Sequence, residues 1–131
     1  MSSLNPLGVP AHQHPNGGGW VADTATVHES AYVGPDARVS GNAWVCGSAW
    51  VYGNARVCDS ARVYDSAWVY DSAWVCDSAQ VSANARVCGS ARVCGNAWVC
   101  GSARVSGNAQ VSANARVSGN ARVYGDARVY G

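Results

Sequence analysis

The chain has 131 residues, enough for one domain, and a formal net charge of +1. Lysine and phenylalanine are absent, and all nine cationic side chains are arginine. So small a net charge excludes an argument from bulk charge for a nucleic-acid or membrane partner. We therefore predict neither nucleic acid nor membrane among its partners.

The start of the chain has no repeat. The first residues lack the basic start and apolar run of a secretory signal, and no stretch approaches the ~20 apolar residues of a membrane span. We therefore expect a cytoplasmic protein whose six cysteines are thiols, because the cytosol keeps cysteines reduced. We interpret residues 1–18 as an irregular N-terminal cap that covers the first strand edges.

Residues 19–131 follow a period of six. A valine occupies every sixth position from Val21 to Val129, nineteen in all, and an alanine lies two residues before each valine from Val27 onward. In an Ala-x-Val segment, Ala and Val point to one side of a strand and x to the other. The next two residues are mostly Gly, Asp, Asn, Ser or Ala, which suit tight corners.

This period favours one architecture over its alternatives. A repeat of six matches neither an α-helix nor a coiled coil, and a meander of hairpins would not hold one phase over so many repeats. A short strand and a corner at constant spacing wind a coil instead. The sequence therefore predicts an all-β parallel solenoid with Val and Ala inside and larger side chains outside.

The repeat resembles that of a known family. Segments such as residues 93–98, Val-Cys-Gly-Asn-Ala-Trp, resemble the hexapeptide repeat of left-handed parallel β-helix proteins, including short bacterial and phage-carried members. The resemblance covers residues 19–131 and implies a single-stranded, left-handed, triangular β-solenoid with about six coils of about 18 residues. The left hand comes from the resemblance alone, because the usual crossover rule favours the right hand.

If residues 18 apart stack, one of the three outer faces carries aromatic side chains in its first half. An exposed aromatic patch usually marks an interaction surface, although aromatics also suit strand surfaces as such. The last coil ends in the repeat itself and is a second candidate contact. We predict a homo-oligomer, either a trimer or an end-to-end dimer, that associates through Tyr32, Trp50, Tyr52, Trp68, Tyr70, Val129 and Tyr130.

The second half of the same face carries a column of arginines. One interpretation is a solvated ladder of cations that repel one another. The other is an anionic small molecule, because Arg forks match phosphate and Trp stacks on bases. The candidate binding residues are Arg86, Arg104, Arg122 and Trp98. A run of acidic corner residues, which we expect to pair with Arg, consists of Asp59, Asp65, Asp71 and Asp77.

The residues that often carry chemistry do not form a recognisable site in the sequence. Cys58, Cys76 and Cys94 fall in one column, but their spacing matches no zinc signature and a disulfide would need distortion. We interpret them as small apolar residues and leave a redox role open. His12 and His14 are interpreted as surface histidines. We predict no catalytic residue, no metal site and no cofactor.

The function that these features favour is a non-catalytic, oligomeric β-solenoid scaffold or binding protein. One alternative is a binding protein that sequesters a phosphorylated, nucleotide-like small molecule in Arg- and Trp-lined grooves between subunits. The family resemblance implies another alternative, a minimal hexapeptide-repeat acyltransferase. Such an enzyme typically needs a histidine in or near the repeat, and His28 is the only one within residues 19–131.

Overall fold

The structure, a computed structural model, describes residues 8–130. The strands within that range, each of two or three residues, are β1 (Ala11–Gln13), β2 (Trp20–Ala22), β3 (Thr26–Val27), β4 (Tyr32–Val33), β5 (Arg38–Val39), β6 (Trp44–Val45), β7 (Trp50–Val51), β8 (Arg56–Val57), β9 (Arg62–Val63), β10 (Trp68–Val69), β11 (Trp74–Val75), β12 (Gln80–Val81), β13 (Arg86–Val87), β14 (Arg92–Val93), β15 (Trp98–Val99), β16 (Arg104–Val105), β17 (Gln110–Ser112), β18 (Arg116–Val117), β19 (Arg122–Val123) and β20 (Arg128–Tyr130).

The strands form three sheets, and strands three apart in the chain are neighbours in space. The first sheet has the order β1-β2-β5-β8-β11-β14-β17-β20, the second β3-β6-β9-β12-β15-β18, and the third β4-β7-β10-β13-β16-β19. Apart from the β1–β2 pair, neighbouring strands are parallel. Across residues 8–130 there is no helix of the length and apolarity that a membrane crossing requires.

The register is 18 residues, as the sequence predicts. Val69 pairs with Val51 on one side and with Val87 on the other, and Trp68 pairs with Trp50 and Arg86 in the same way. The fold prediction of an all-β parallel solenoid with about six coils is therefore confirmed. Each outer column expected from the spacing is a real column of neighbouring side chains.

The core is a column of valine and alanine. From Ala31 to Val111, every Ala and Val of the repeat has 0% of its surface exposed. Full burial of a valine side chain contributes about 1.5–3 kcal/mol, so the stability comes from many equivalent small contributions. Because the interior is filled in this way, the outward residues carry little of the folding requirement.

The corner after each strand uses the left-handed backbone region. Gly47 has φ of +67°, and a Cβ there would lie 3.0 Å from the backbone nitrogen of Asp65 in the next coil. Asp and Ala also occupy this position with φ between 58° and 61°, as at Asp65 and Ala83. Left-handed backbone costs a residue with a Cβ roughly 1–2 kcal/mol, so these corners need compensation.

Each acidic corner residue compensates with a hydrogen bond along the solenoid axis. The Oδ2 atoms of Asp59, Asp65, Asp71 and Asp77 accept hydrogen bonds at 3.0–3.3 Å from the backbone N–H of the corner residue one coil further on. The expectation that these carboxylates pair with Arg is wrong. In the described range, no Arg lies within ion-pair distance of a carboxylate, because the corner directs the carboxylate along the axis.

The N-terminal segment covers the first strand edges. Strand β1 pairs antiparallel with β2, so part of the segment interpreted as irregular is a strand. Beyond it, Gly19 N–H donates to the Val33 carbonyl at 2.9 Å and Val33 N–H donates to the Asn16 carbonyl at 3.1 Å. Of the predicted cap, residues 1–7 lie outside the described residues, as does Gly131 at the other end.

The two histidines of this segment have different surroundings. His12 is exposed, and its Nδ1 lies 2.8 Å from an Asp23 carboxylate oxygen. His14 is only 4% exposed, and its Nε2 lies 2.8 Å from the Ala31 carbonyl oxygen. The interpretation of His14 as a surface residue is therefore wrong, since its ring fastens the segment to the first coil.

The strained corners lead to a stability prediction. We expect Ala83→Gly to stabilise the protein by about 0.5–1 kcal/mol, because the left-handed backbone penalty exceeds the extra freedom that glycine gives the unfolded chain. The measurement is the free energy of unfolding in urea. The control is Ala85→Gly, which removes a buried Cβ from a strand flank and should destabilise. A loss of stability in Ala83→Gly contradicts the prediction.

Candidate self-association surface

The third sheet brings together the five predicted aromatic residues, hereafter the aromatic cluster: Tyr32, Trp50, Tyr52, Trp68 and Tyr70. Strands β4, β7 and β10 stack Tyr32, Trp50 and Trp68, with ring centroids 4.8 and 5.6 Å apart. Beside this row, Tyr52 and Tyr70 stack at 5.1 Å with their planes only 4° apart. The sequence-predicted set is thus one continuous surface.

The two rows of the cluster contact each other edge to face. Tyr52 meets both Trp50 and Trp68 at 6.0 Å, and Trp68 meets Tyr70 at 6.3 Å, with the planes 75–83° apart. These are the arrangements that aromatic rings prefer, each worth about 0.5–1.5 kcal/mol beyond area burial. The ring positions are therefore set within one chain before any partner arrives.

Glycine makes room at the start of the cluster. Gly34 is the residue that precedes Tyr52 in its column, and a Cβ at Gly34 would lie 3.0 Å from the Tyr52 Cβ. Without that side chain, Tyr32 and Tyr52 can both lie flat on the sheet.

The cluster remains open to solvent despite its internal packing. Trp50 has ring neighbours on three sides and is still 42% exposed. Burial raises the pKa of the Tyr52 phenol, and burial together with a hydrogen bond to the Cys88 thiol raises the pKa of Tyr70 to about 12. Both phenols are therefore protonated at neutral pH and can donate hydrogen bonds from the edge of the surface.

The arginine column continues the same row of the third sheet. Arg86 follows Trp68 in register, with its guanidinium carbon 4.9 Å from the Trp68 ring centroid. Arg104 and Arg122 come next, and with Ser106 and Tyr124 they line a shallow, open depression of about 420 Å³. The third sheet thus has an aromatic half and a cationic half.

Arginines stack on tryptophans in the other two sheets as well. In the first sheet Arg56 and Arg92 flank Trp74 at 5.2 and 5.4 Å. In the second sheet, Arg62 lies over Trp44 at 5.3 Å and Arg116 lies over Trp98 at 5.2 Å. Sequence analysis missed these pairs, although Arg and Trp at a spacing of 18 was the available signal. Such contacts are worth about 0.5–1 kcal/mol each at exposed sites.

Three other predicted residues lie away from the aromatic cluster. Trp98 is on the second sheet, so it does not share a face with the arginine column, and its ring already contacts Arg116. Val129 is half-buried in β20, an edge strand of the first sheet. Tyr130 is in the same strand, and its side chain lies outside what the structure describes. His28 is exposed, with Nδ1 2.8 Å from the Ser30 hydroxyl.

The cysteine column lies on the first sheet and its thiols influence one another. A hydrogen bond from the Cys76 thiol lowers the pKa of Cys58, while the same bond raises the pKa of Cys76. Burial is the main cause that raises the pKa of Cys94. All six cysteines are free thiols and half-buried.

These features define the class as a parallel β-solenoid repeat protein. A family model described as the YdcK β-solenoid repeat matches residues 37–53, 49–64, 55–71, 79–95, 91–107, 103–119 and 115–131. The matches together cover residues 37–71 and 79–131, each begins at an alanine of the hexad, and the chain belongs to this family. No curated protein and no solved structure matches the chain significantly.

The thiol column leads to a prediction about reactivity. We expect iodoacetamide to modify Cys58 roughly tenfold faster than Cys76 at mildly alkaline pH, because a lower pKa gives more thiolate and one pKa unit changes that fraction tenfold. Peptide mapping by mass spectrometry over time measures both rates.

A pair of variants checks the cause. Cys76→Ala removes the hydrogen-bond donor and should slow the labelling of Cys58, whereas Cys76→Ser keeps a hydroxyl donor and should slow it less. Equal labelling rates at Cys58 and Cys76 in the parent protein would contradict the prediction.

Proposed function

We propose that this protein is a non-catalytic, self-associating β-solenoid scaffold whose copies meet through the third sheet. The observation that carries the proposal is the aromatic cluster, in which Trp50 stays 42% exposed after all of its contacts within the chain. A preformed aromatic surface binds at a low cost in side-chain entropy, since its rings are already ordered. The proposal includes left-handed hexapeptide winding and a cytoplasmic location, where the thiols stay reduced.

The order of side chains on the third sheet favours a particular arrangement of two copies. Along β4, β7, β10, β13, β16 and β19 the outward column reads Tyr32, Trp50, Trp68, Arg86, Arg104, Arg122. If two copies dock face to face with their axes antiparallel, the aromatic half of each covers the cationic half of the other. Trp50 then faces Arg104 of the second copy, and Trp68 faces its Arg86.

This arrangement repeats a contact that the chain already makes. Arg lies over Trp at 4.9–5.4 Å in five places within one copy. Antiparallel docking is also isologous, so every contact occurs twice about a two-fold axis. Parallel docking, as in a trimer about an axis along the solenoid, would place arginines at the same level and cost roughly 1 kcal/mol for each close pair. We therefore propose a two-fold dimer rather than a trimer.

The expected dimer is weak. Six strands at ~4.8 Å spacing give a face only ~24 Å long between the outer strands. Such a face is near the lower end of the area that stable interfaces bury, about 1,200–2,000 Å² in total. Association should therefore depend on protein concentration, with a dissociation constant on the order of micromolar.

Sedimentation equilibrium across a wide range of concentrations tests the proposal. We expect a monomer–dimer equilibrium that Trp50→Ser weakens by about 30-fold or more, because a central interface tryptophan commonly contributes about 2 kcal/mol or more. The control is Trp44→Ser, which removes a tryptophan of the second sheet that is 49% exposed and also contacts an arginine.

The outcomes separate the possible contacts. A parent protein that is monomeric at every concentration overturns the scaffold proposal. Association that Trp50→Ser and Trp44→Ser weaken equally assigns the contact elsewhere. End-to-end association through β20 would persist in Trp50→Ser, and a trimer would contradict the two-fold arrangement.

The second candidate function is the sequestration of a phosphorylated small molecule. The observation that favours it is the depression lined by Arg104, Ser106, Arg122 and Tyr124. Isothermal titration with ATP or tripolyphosphate separates the two candidates. Binding that survives Trp50→Ser and disappears in Arg104→Glu would support this second function, whereas the scaffold proposal requires Trp50→Ser to dissociate the copies.

A further inference from the structure

Two thiols and one carboxylate converge at one corner of the first sheet. The backbone N–H of Cys76 donates to the Val93 carbonyl and that of Cys94 to the Val111 carbonyl, both at 2.9 Å, which holds the two cysteines one above the other. The Cys76 Sγ, the Cys94 Sγ and a carboxylate oxygen of Asp77 all lie within 4.8 Å of one another. Three metal-ligand atoms from two coils therefore share one small volume.

The separation of these atoms suits a metal ion better than a disulfide. A tetrahedral Zn²⁺ ion binds thiolate sulfur at about 2.3 Å and carboxylate oxygen at about 2.0–2.2 Å, so its ligand atoms are ~3.5–3.8 Å apart. Side-chain rotation alone can supply that approach. A disulfide instead needs Cβ atoms about 3.5–4.5 Å apart, which is tight for directly paired strands ~4.8 Å apart.

The carboxylate is already held in place by the backbone. Asp77 has φ of 58°, and its Oδ2 accepts a hydrogen bond from Gly95 N–H at 3.0 Å. Its own N–H donates to the Asp59 Oδ2 at 3.3 Å. Both thiols are half-buried beside it. The third cysteine of the column is directed elsewhere, since the Cys58 Sγ donates to the Val75 carbonyl at 3.9 Å.

We propose that Cys76, Asp77 and Cys94 bind one divalent thiophilic cation of the Zn²⁺ class, with water in the fourth position. Two thiolates and a carboxylate form a ligand set that zinc accepts, and binding would release protons from the thiols. The sequence hides this set because known zinc signatures have short spacings, whereas here the coil closes a separation of 18 residues. The site is on the first sheet, so it does not depend on the proposed dimer.

Titration of the fully reduced protein with Zn²⁺ and Cd²⁺ tests the site. The ultraviolet charge-transfer band of Cd²⁺–thiolate bonds reports direct ligation, and competition with a chromophoric chelator gives the affinity. We expect one ion per chain. Cys76→Ser and Cys94→Ser should each lower the affinity by more than about 100-fold, because loss of an outer-shell partner alone typically costs 10- to 100-fold.

Control variants distinguish the site from unspecific thiol binding. Cys100→Ser removes a thiol from another column and should bind like the parent protein. Asp77→Asn, which keeps an acceptor for Gly95 N–H, should lower the affinity by about tenfold or more. Zn²⁺ should raise the unfolding temperature of the parent and of Cys100→Ser but not of Cys76→Ser. Unchanged binding in Cys76→Ser, or equal loss in Cys100→Ser, overturns the proposal.

Discussion

The structure depends on a core that repeats valine and alanine without variation. Because each coil buries side chains of the same size, each coil has the same perimeter, and backbone hydrogen bonds join positions 18 residues apart along most of the chain. A larger side chain at one level would widen that coil and break the ladder on both sides. The interior therefore fixes the register, and the register fixes which outward side chains are neighbours.

Function must then reside on the outside, where residues are free to vary. A directly paired position in a parallel sheet brings like beside like or Arg beside Trp, depending only on which residue recurs after 18. This rule produces the aromatic cluster, the arginine column beside it and the thiol pair at Asp77. Membership of the YdcK β-solenoid repeat family agrees with the fold and leaves the partner to be identified from these surfaces.

The periodic part of the chain could be predicted almost completely from the sequence. The period of six, together with the three-hexad coil of the hexapeptide-repeat family, was enough to assign Trp50 to Trp68 and Arg104 to Arg122 as neighbours. The left hand of the coil rested on resemblance alone and stays a prediction. The N-terminal segment has no period, so neither the pairing of β1 nor the burial of His14 could be derived.

The remaining differences concern side-chain direction. The acidic corners were expected to pair with Arg, but left-handed backbone at Asp65 directs its carboxylate to the N–H of Ala83 along the axis. The arginines instead extend over flat indole rings, which is a matter of rotamer choice that periodicity does not determine. The metal-ligand set was rejected on linear spacing, since proximity through a coil has no short sequence signature.

The six-residue period has a consequence for how this surface can change during evolution. Loss or gain of a single hexad would leave the valine column intact, yet everything downstream would rotate by one side of the solenoid. Removal of residues 73–78, for example, would carry Arg86, Arg104 and Arg122 from the third sheet to the second and separate them from the aromatic cluster. Short duplications and deletions can thus recombine whole faces while folding is preserved, a form of variation closed to proteins with irregular cores.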